Sequence, residues 1–328
     1  MQTSPLPYEI KRLDHSHAAG VKSCIEAVYG PAYADERFYA VAALERALRC
    51  GELCSVGAVS LDGTVLAHMA LSRHSKAEHP DLGNTVVDPR MRGQGLAWAV
   101  GEELTRWCVE LGYRGFLHYP TTDHHIMQKQ SVKTGYETGL MLSYIPTTMK
   151  GAAGAKQSAG RGAATIVFNP LVETDKAAAP RRLYCPRRYR PILDRLMSDV
   201  PLRRDLQLVQ SSTRRPSTIL SSTIFQKRAL QRLEVTQIGE DCLLAIEAAI
   251  DEEMLCTQID VPMNDPNIEE ACEAMRRVGF IFCGWLPGYR TYDVLRLQRF
   301  RREHANEVPE IVNPVARQLL DLCGEELG

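Results

Sequence analysis

Val86-Val87-Asp88-Pro89-Arg90-Met91-Arg92-Gly93-Gln94-Gly95-Leu96-Ala97 is the stretch on which the reading of the chain turns. Two β-branched residues end a strand, Asp-Pro opens a turn, and two glycines share a loop with two arginines. Apolar residues at helical spacing then predict an amphipathic helix over 96–111. The first turn of a helix carries unpaired N–H groups at the positive end of its dipole. Glycines allow that backbone to approach a phosphate, and Arg90 and Arg92 add charge, so in physical terms the segment is a pyrophosphate cradle. It is not a P-loop, because no Gly-Lys-Ser/Thr follows. Nor is it the dinucleotide fingerprint, because the third glycine is absent and the preceding strands are linked as hairpins.

Upstream, alternation predicts a strand at 8–13, and helical spacing predicts helices at 17–29 and 36–49. Strands at 54–60 and 64–72 flank the hairpin turn Leu61-Asp62-Gly63, and a short strand covers 83–87. Downstream come a strand at 114–119, a helix at 124–134 with Gly135 as its C-terminal cap, and a strand at 140–145 stopped by Pro146. The segment 147–163, rich in Gly, Ala, Ser and Lys, reads as a mobile loop before a strand at 165–168. The best boundary between two halves is 171–180. Beyond it the pattern gives a helix at 191–197, strands at 218–225 and 230–238, and a helix at 240–254. A strand at 256–261, a helix at 268–277 capped by Gly279, strands at 280–286 and 293–297 and a helix at 312–323 complete the chain.

The loop and the order of elements resemble the GNAT superfamily of N-acetyltransferases. That family's acetyl-CoA loop reads Arg/Gln-x-x-Gly-x-Gly/Ala, and here Arg92-x-x-Gly95-x-Ala97 follows Val-Asp-Pro. The resemblance covers about residues 8–170. It implies an α/β (α+β) GNAT fold, a mostly antiparallel central sheet flanked by helices, with acetyl-CoA or another acyl-CoA as co-substrate. Backbone amides of Arg92, Gly93, Gln94, Gly95, Leu96 and Ala97 would hold the pyrophosphate. Thr85, Val86 and Val87 would pair strand-like with the pantetheine arm and offer a main-chain N–H as oxyanion donor. The acceptor amine, expected on a small molecule, would attack the acetyl carbonyl directly, so no cysteine need be a nucleophile. A protein or peptide acceptor, or a non-catalytic acyl-CoA-binding regulatory module, are the alternatives.

Many family members carry Asn-x-x-Ala-x-x-x-Tyr-x-x-x-Gly in the penultimate helix, and its Tyr often protonates the leaving thiolate. Counted back from Gly135, the Tyr position holds Ser131 and the Asn position His124. Tyr119, His118 and Tyr144 are alternative acids. For the base, Asp81, just before the strand at 83–87, is the nearest carboxylate, with Glu78 and His79 behind it. The run His118, Asp123, His124, His125 has no i, i+4 histidine pair, so no metal is expected.

Strand, Pro120, helix, Gly135-Tyr136, strand, Pro146 recurs as strand, Pro262, helix, Gly279-Phe280, strand, Pro287, at offsets of 142, 144 and 141 residues. Coincidence is the competing explanation; a duplicated α/β unit is the sharper one. On the latter, residues 1–171 form a GNAT domain with the acyl-CoA loop. Residues 172–328 form a degenerate GNAT-like copy without it, with an acceptor-pocket or structural role.

Composition narrows the remaining classes. The 328 residues carry 39 Lys plus Arg against 40 Asp plus Glu, a net charge of −1, which argues against nucleic acid held by a bulk basic field. No apolar run is long enough to span a bilayer, and the N-terminus has no secretory pattern. Ten cysteines without a Cys-x-x-Cys pair read as reduced thiols of a cytoplasmic protein. A homodimeric state is compatible with the sequence. The cluster Arg181, Arg182, Arg187, Arg188, Arg190, Arg195, Arg203, Arg204 reads as a solvated face or ion-pair network, with anion binding as its functional rival.

Overall fold

The structure, a computed structural model, describes residues 7–75, 77–123, 125–150, 160–172, 179–209, 214–301 and 309–328. Its contacts divide the chain into unit 1, Met1–His118 with Thr148–Lys156, and unit 2, Tyr119–Thr147 with Gln157–Gly328. Both are mixed α/β, built on mostly antiparallel strands flanked by helices.

Unit 1 runs β1 (Tyr8–Leu13), α1 (Ala18–Tyr29), α2 (Val41–Cys50), β2 (Leu53–Ser60), β3 (Val65–Ser72), β4 (Asp81–Val87), α3 (Leu96–Glu110) and β5 (Gly115–His118). β1 to β4 pair antiparallel in chain order, and β4 pairs parallel with β5. A parallel neighbour requires a crossover, and α3 supplies it. Leu96, Val100, Leu104 and Cys108 recur every fourth residue and bury one stripe of α3 against β2 and β3. The predicted helix over 36–49 is broken. Glu36–Tyr39 is a 3-10 turn begun by Asp35, whose carboxylate accepts the Arg37 N–H at 3.1 Å, and Ala40 is extended. The Tyr39 hydroxyl donates to the Gly30 carbonyl at 2.6 Å and accepts the Tyr33 N–H at 2.8 Å, which fixes the break.

Unit 2 begins with α4 (His125–Ser131) and β6 (Tyr136–Ile145); the single turn that follows in the chain, α5 (Thr147–Lys150), belongs to unit 1 from Thr148 onward. Then come β7 (Gly162–Pro170), β8 (Arg181–Cys185), α6 (Arg190–Asp199), β9 (Arg204–Leu208), β10 (Ile219–Phe225), β11 (Leu230–Gln237) and α7 (Cys242–Ala249). β12 (Cys256–Pro262), α8 (Ile268–Arg277), β13 (Ile281–Leu286), β14 (Val294–Phe300) and α9 (Pro314–Leu327) complete it. The strands lie in the order β7-β6-β13-β14-β12-β11-β10, antiparallel except for β11 with β12. Most of the loop expected at 147–163 lies outside the described residues, and β7 starts earlier than expected, at Gly162. The contact division falls after His118 rather than near 171–180, because β6 pairs with β13.

That pairing is made of glycine. Gly139 of β6 faces Gly284 of β13. A Cβ on Gly284 would stand 2.6 Å from the Gly139 Cα and 2.7 Å from the Thr138 carbonyl oxygen. Gly135, expected as a helix cap, does not have the positive φ that Gly279 shows at +87°. It is required for space: a Cβ there would meet Asn169 Oδ1 and Val167 Cγ1 at 2.6 Å. The predicted helix 240–254 stops at Ala249. Gln231, reaching over from β11, donates to the Ala249 carbonyl at 2.7 Å and accepts the Asp251 N–H at 2.9 Å. The strands β8 and β9, hidden in sequence among the arginines, form a separate parallel pair. Five of the eight arginines of that cluster form ion pairs. Arg181 and Arg204 converge on the fully buried Asp293, at 2.9 and 2.7 Å, and Asp293 also accepts from Trp285 Nε1. Arg188 pairs with Glu326, Arg190 with Asp194 and Arg195 with Asp199.

Two consequences are measurable. Gly284→Val forces the backbones of β6 and β13 apart and is expected to cost about 3 kcal/mol in urea unfolding. Glu137 on β6 is 4% exposed and meets the Ala316 N–H at the start of α9. Burial pushes its carboxyl up from 4.5 to about 7. The folded state therefore holds this proton more tightly than the unfolded state. The stabilisation is complete below pH 4.5 and drains as pH rises to about 7, in total roughly 3 kcal/mol. Glu137→Gln is expected to abolish that slope, read as the difference between the two proteins' unfolding free energies across pH 4 to 8.

Candidate active site

The site is built from β4 outward. One edge of β4 pairs with β3, but the other meets β5 only at Asp81 and Leu82, opposite Leu117 and His118. From Gly83 onward β5 gives that edge no ladder partner, because β5 ends at His118 opposite Leu82. A bulge marks the place. The register against β3 shifts between His68 and Ala70, and Asn84 takes a left-handed φ of 56°. Buried His68 fixes it. Its Nδ1 lies 3.0 Å from the Asn84 carbonyl, which can only accept, so Nδ1 carries the proton. Nε2 then accepts from the Ser55 hydroxyl at 3.0 Å. Burial pushes His68 down to about 4, so the ring stays neutral near pH 7. The Asn84 side chain donates to the Tyr33 hydroxyl at 2.8 Å.

Past the bulge, Val86 is buried and Thr85 and Val87 are half-buried. The Asp88 N–H donates to the Leu66 carbonyl, and its carboxylate caps the turn Pro89–Met91 by accepting from the Arg90 N–H at 2.9 Å. Arg90 also pairs with it at 2.7 Å, which, ahead of the other causes, holds the Asp88 carboxyl below its ordinary range. Met91 is buried and pins the loop, while Arg92, Gly93, Gln94 and Gly95 are exposed. Gly93 and Gly95 have φ of 77° and 79°, conformations that side chains rarely adopt. Gly95 starts α3 without any side-chain cap hydrogen bond. An uncapped helix start behind two left-handed glycines and an exposed arginine has the donors and the charge to bind a phosphate.

Asp81 lies within β4 rather than before it, because the strand begins two residues earlier than predicted. Its carboxylate is 2.9 Å from His74 Nε2, an aspartate–histidine pair that sequence reading missed. Glu78 is half-buried and His79 buried. Tyr119, half-buried, follows β5 and belongs to unit 2 by its contacts. Ser131 ends α4, is 5% exposed, and donates its hydroxyl proton to the Met127 carbonyl at 2.7 Å. Such back-bonding engages the hydroxyl in its own helix. Tyr144 lies under the Arg228 guanidinium, 4.7 Å from its ring centre. His124 lies outside the described residues. Among the described residues, no group of three or more His, Cys, Asp or Glu could hold a metal ion.

Residues 21–128 match the model of the acetyltransferase (GNAT) family, and the chain carries an N-acetyltransferase domain of that family. Similar solved structures include a phosphinothricin acetyltransferase from Sinorhizobium meliloti in complex with AcCoA, 16% identical. The match covers 53% of this chain and 96% of that one, with a TM-score of 0.39. The ribosomal-protein-S18-alanine N-acetyltransferase from Escherichia coli is 14% identical, with 52% and 99% covered and a TM-score of 0.42. A GNAT family N-acetyltransferase from Escherichia coli in complex with CoA is 18% identical, with 52% and 86% covered and a TM-score of 0.34. No curated protein matches the chain in sequence. No described helix is long and apolar enough to cross a membrane.

Asp88 gives a test of the loop itself. Asp88→Ala removes the cap on the Arg90 N–H and is expected to lower stability by about 1 kcal/mol in chemical denaturation.

Proposed function

We propose that the chain is an acyl-CoA-dependent N-acetyltransferase that moves acetyl from acetyl-CoA to the amine of a small molecule. The observation that carries this reading is the β4 edge beyond Leu82, unpaired by β5, leading into left-handed Gly93 and Gly95 and the uncapped start of α3. Acetyl-CoA supplies an acyl group activated as a thioester. Backbone amides from Arg92 to Ala97 bind its pyrophosphate, and Thr85, Val86 and Val87 pair with the pantetheine arm as an added strand. A β4 main-chain N–H at this edge stabilises the charge that develops on the acetyl oxygen.

The acceptor must arrive as a neutral amine. His74, oriented by Asp81, is the base we assign; with Nε2–H donated to the carboxylate, Nδ1 takes the proton. The C–N bond forms, the C–S bond breaks, and the thiolate leaves and is protonated. Ser131, whose hydroxyl is engaged with Met127, is a poor donor for that proton.

We read residues 172–328 as an altered copy of the first domain. The parallel pair β11 and β12 flanks α7 as β4 and β5 flank α3, and α8, β13 and β14 follow as α4, β6 and β7 do. At the turn before α7, the chain itself takes the amides: Gly239 N–H donates to the Thr218 hydroxyl and Glu240 N–H to the Arg215 carbonyl. A Cβ on Gly239 would stand 2.3 Å from Ser217, so this turn is filled where the first is open.

Calorimetry with acetyl-CoA, joined to a thiol-release assay over small amines and peptides, tests the reading. Binding with turnover on small amines is expected. Turnover on peptides alone reassigns the acceptor, binding without turnover makes the chain a binding module, and no binding overturns the proposal. Gly95→Val is expected to weaken acetyl-CoA binding about tenfold or more, from the strain of a left-handed valine. His74→Ala is expected to lower kcat about 100-fold with little change in acetyl-CoA affinity, and Ser131→Ala to leave kcat within about threefold.

A further inference from the structure

Unit 2 contains a row of buried N–H donors that no described residue accepts. We propose that Arg232, Gln258 and Arg296 form a binding site for a small carboxylate, distinct from the acetyl-transfer site and independent of that reading.

The strand register brings the three together. Arg232 of β11 stands opposite Gln258 of β12, and Asp260, two residues further on the same face of β12, stands opposite Arg296 of β14. Gln258 and Arg296 are wholly buried, and Arg232 is half-buried. Arg232 Nη2 donates to Gln258 Oε1 at 3.0 Å, and Nη1 to the Tyr289 hydroxyl at 3.0 Å. Arg296 donates through Nε and Nη2 to both oxygens of Asp260, at 2.6 and 2.8 Å, and stacks over the Tyr289 ring at 4.9 Å. After these bonds, Arg232 Nε, Gln258 Nε2 and Arg296 Nη1 remain buried with no acceptor among the described residues. Native interiors rarely leave such donors unsatisfied, and three on neighbouring strands point to an acceptor from outside the chain.

The charge balance specifies its sign. Arg290 is neutralised by Glu234, at 2.5 and 2.7 Å. That leaves Asp260, among the described residues, as the one carboxylate paired with either Arg232 or Arg296. Arg161 adds a third guanidinium to the neighbourhood. The Cys256 thiol shows it: burial pushes it up to about 12, against the pull of Arg161, Arg232 and Arg296. Buried positive charge in excess of its counter-ions calls for an anion. Guanidinium N–H groups beside an amide N–H suit the planar, two-oxygen face of a carboxylate. Arg232, the partly exposed member, is where such a ligand enters.

The test uses the full chain with acetate, succinate and inorganic phosphate as probes, in calorimetry and thermal denaturation against sodium chloride of matched ionic strength. Acetate or succinate is expected to bind and raise Tm. Arg232→Gln and Gln258→Met, each removing one unsatisfied donor and leaving the Asp260–Arg296 pair intact, are expected to weaken that binding about tenfold. Gln258→Met changes no charge, so it keeps the test valid if Arg232→Gln fails to fold. No carboxylate binding, or binding that neither substitution weakens, overturns the site. Phosphate binding in place of the carboxylates overturns the ligand class.

Discussion

The approach of β6 to β13 at Gly139 and Gly284 is the constraint on which unit 2 depends. Backbone meets backbone there with no room for a side chain on either strand. Because the contact is antiparallel and both partners are glycines, it treats the two strands almost alike, as a two-fold axis would. The β6–β7 and β13–β14 hairpins are thereby joined into one run of strands, from β7 to β10. Glu137 and Thr138 are carried into the interior on the same strand, and α9 lies against β6 and β13. A larger residue at either glycine would disturb the hairpins before it disturbed any helix.

Most elements were legible because hydrophobic period and punctuation agreed. α3 shows this well: a four-residue apolar stripe begins right after a Gly-rich turn, so pattern and breaker give one answer. The misreadings are of two kinds. The helix at 240–254 has helical spacing throughout, yet Gln231 from β11 takes the backbone groups at its break, and periodicity cannot register so remote a partner. The helix at 36–49 is broken locally, where Asp35 caps a 3-10 turn and Ala40 is extended. Gly135 looked like a cap because glycine after a helix is common, whereas its actual role, clearance for Val167 and Asn169, depends on β7. β8 and β9 were masked by arginines whose charges are neutralised by Asp293, about a hundred residues later.

At the site, the loop could be read from sequence because its chemistry is local: glycines, a turn and a helix start. The bulge at Asn84 could not. It rests on His68 and Ser55 from two other strands, and only His68, an isolated polar residue in the apolar run of β3, hinted at it. The His74–Asp81 pair was missed for the same reason, since it joins the residues after β3 to the start of β4. The comparison of the two parallel crossovers is informative here. One ends in an open, exposed turn, and in the other the segment 215–218 already occupies the amides. A ligand cradle differs from an ordinary turn by what its backbone is left free to bind.

All ten cysteines are free thiols, yet only Cys50 is exposed. Burial raises the thiols of Cys24, Cys108, Cys256 and Cys323 to about 12, which suppresses the thiolate that reacts with alkylating and disulfide reagents. The native chain therefore presents one titratable sulfhydryl to such a reagent and the unfolded chain presents ten. Mass counting of labels after a short pulse would read out the folded fraction. The same contrast keeps the protein's own sulfur nearly silent when free coenzyme thiol is measured in its presence.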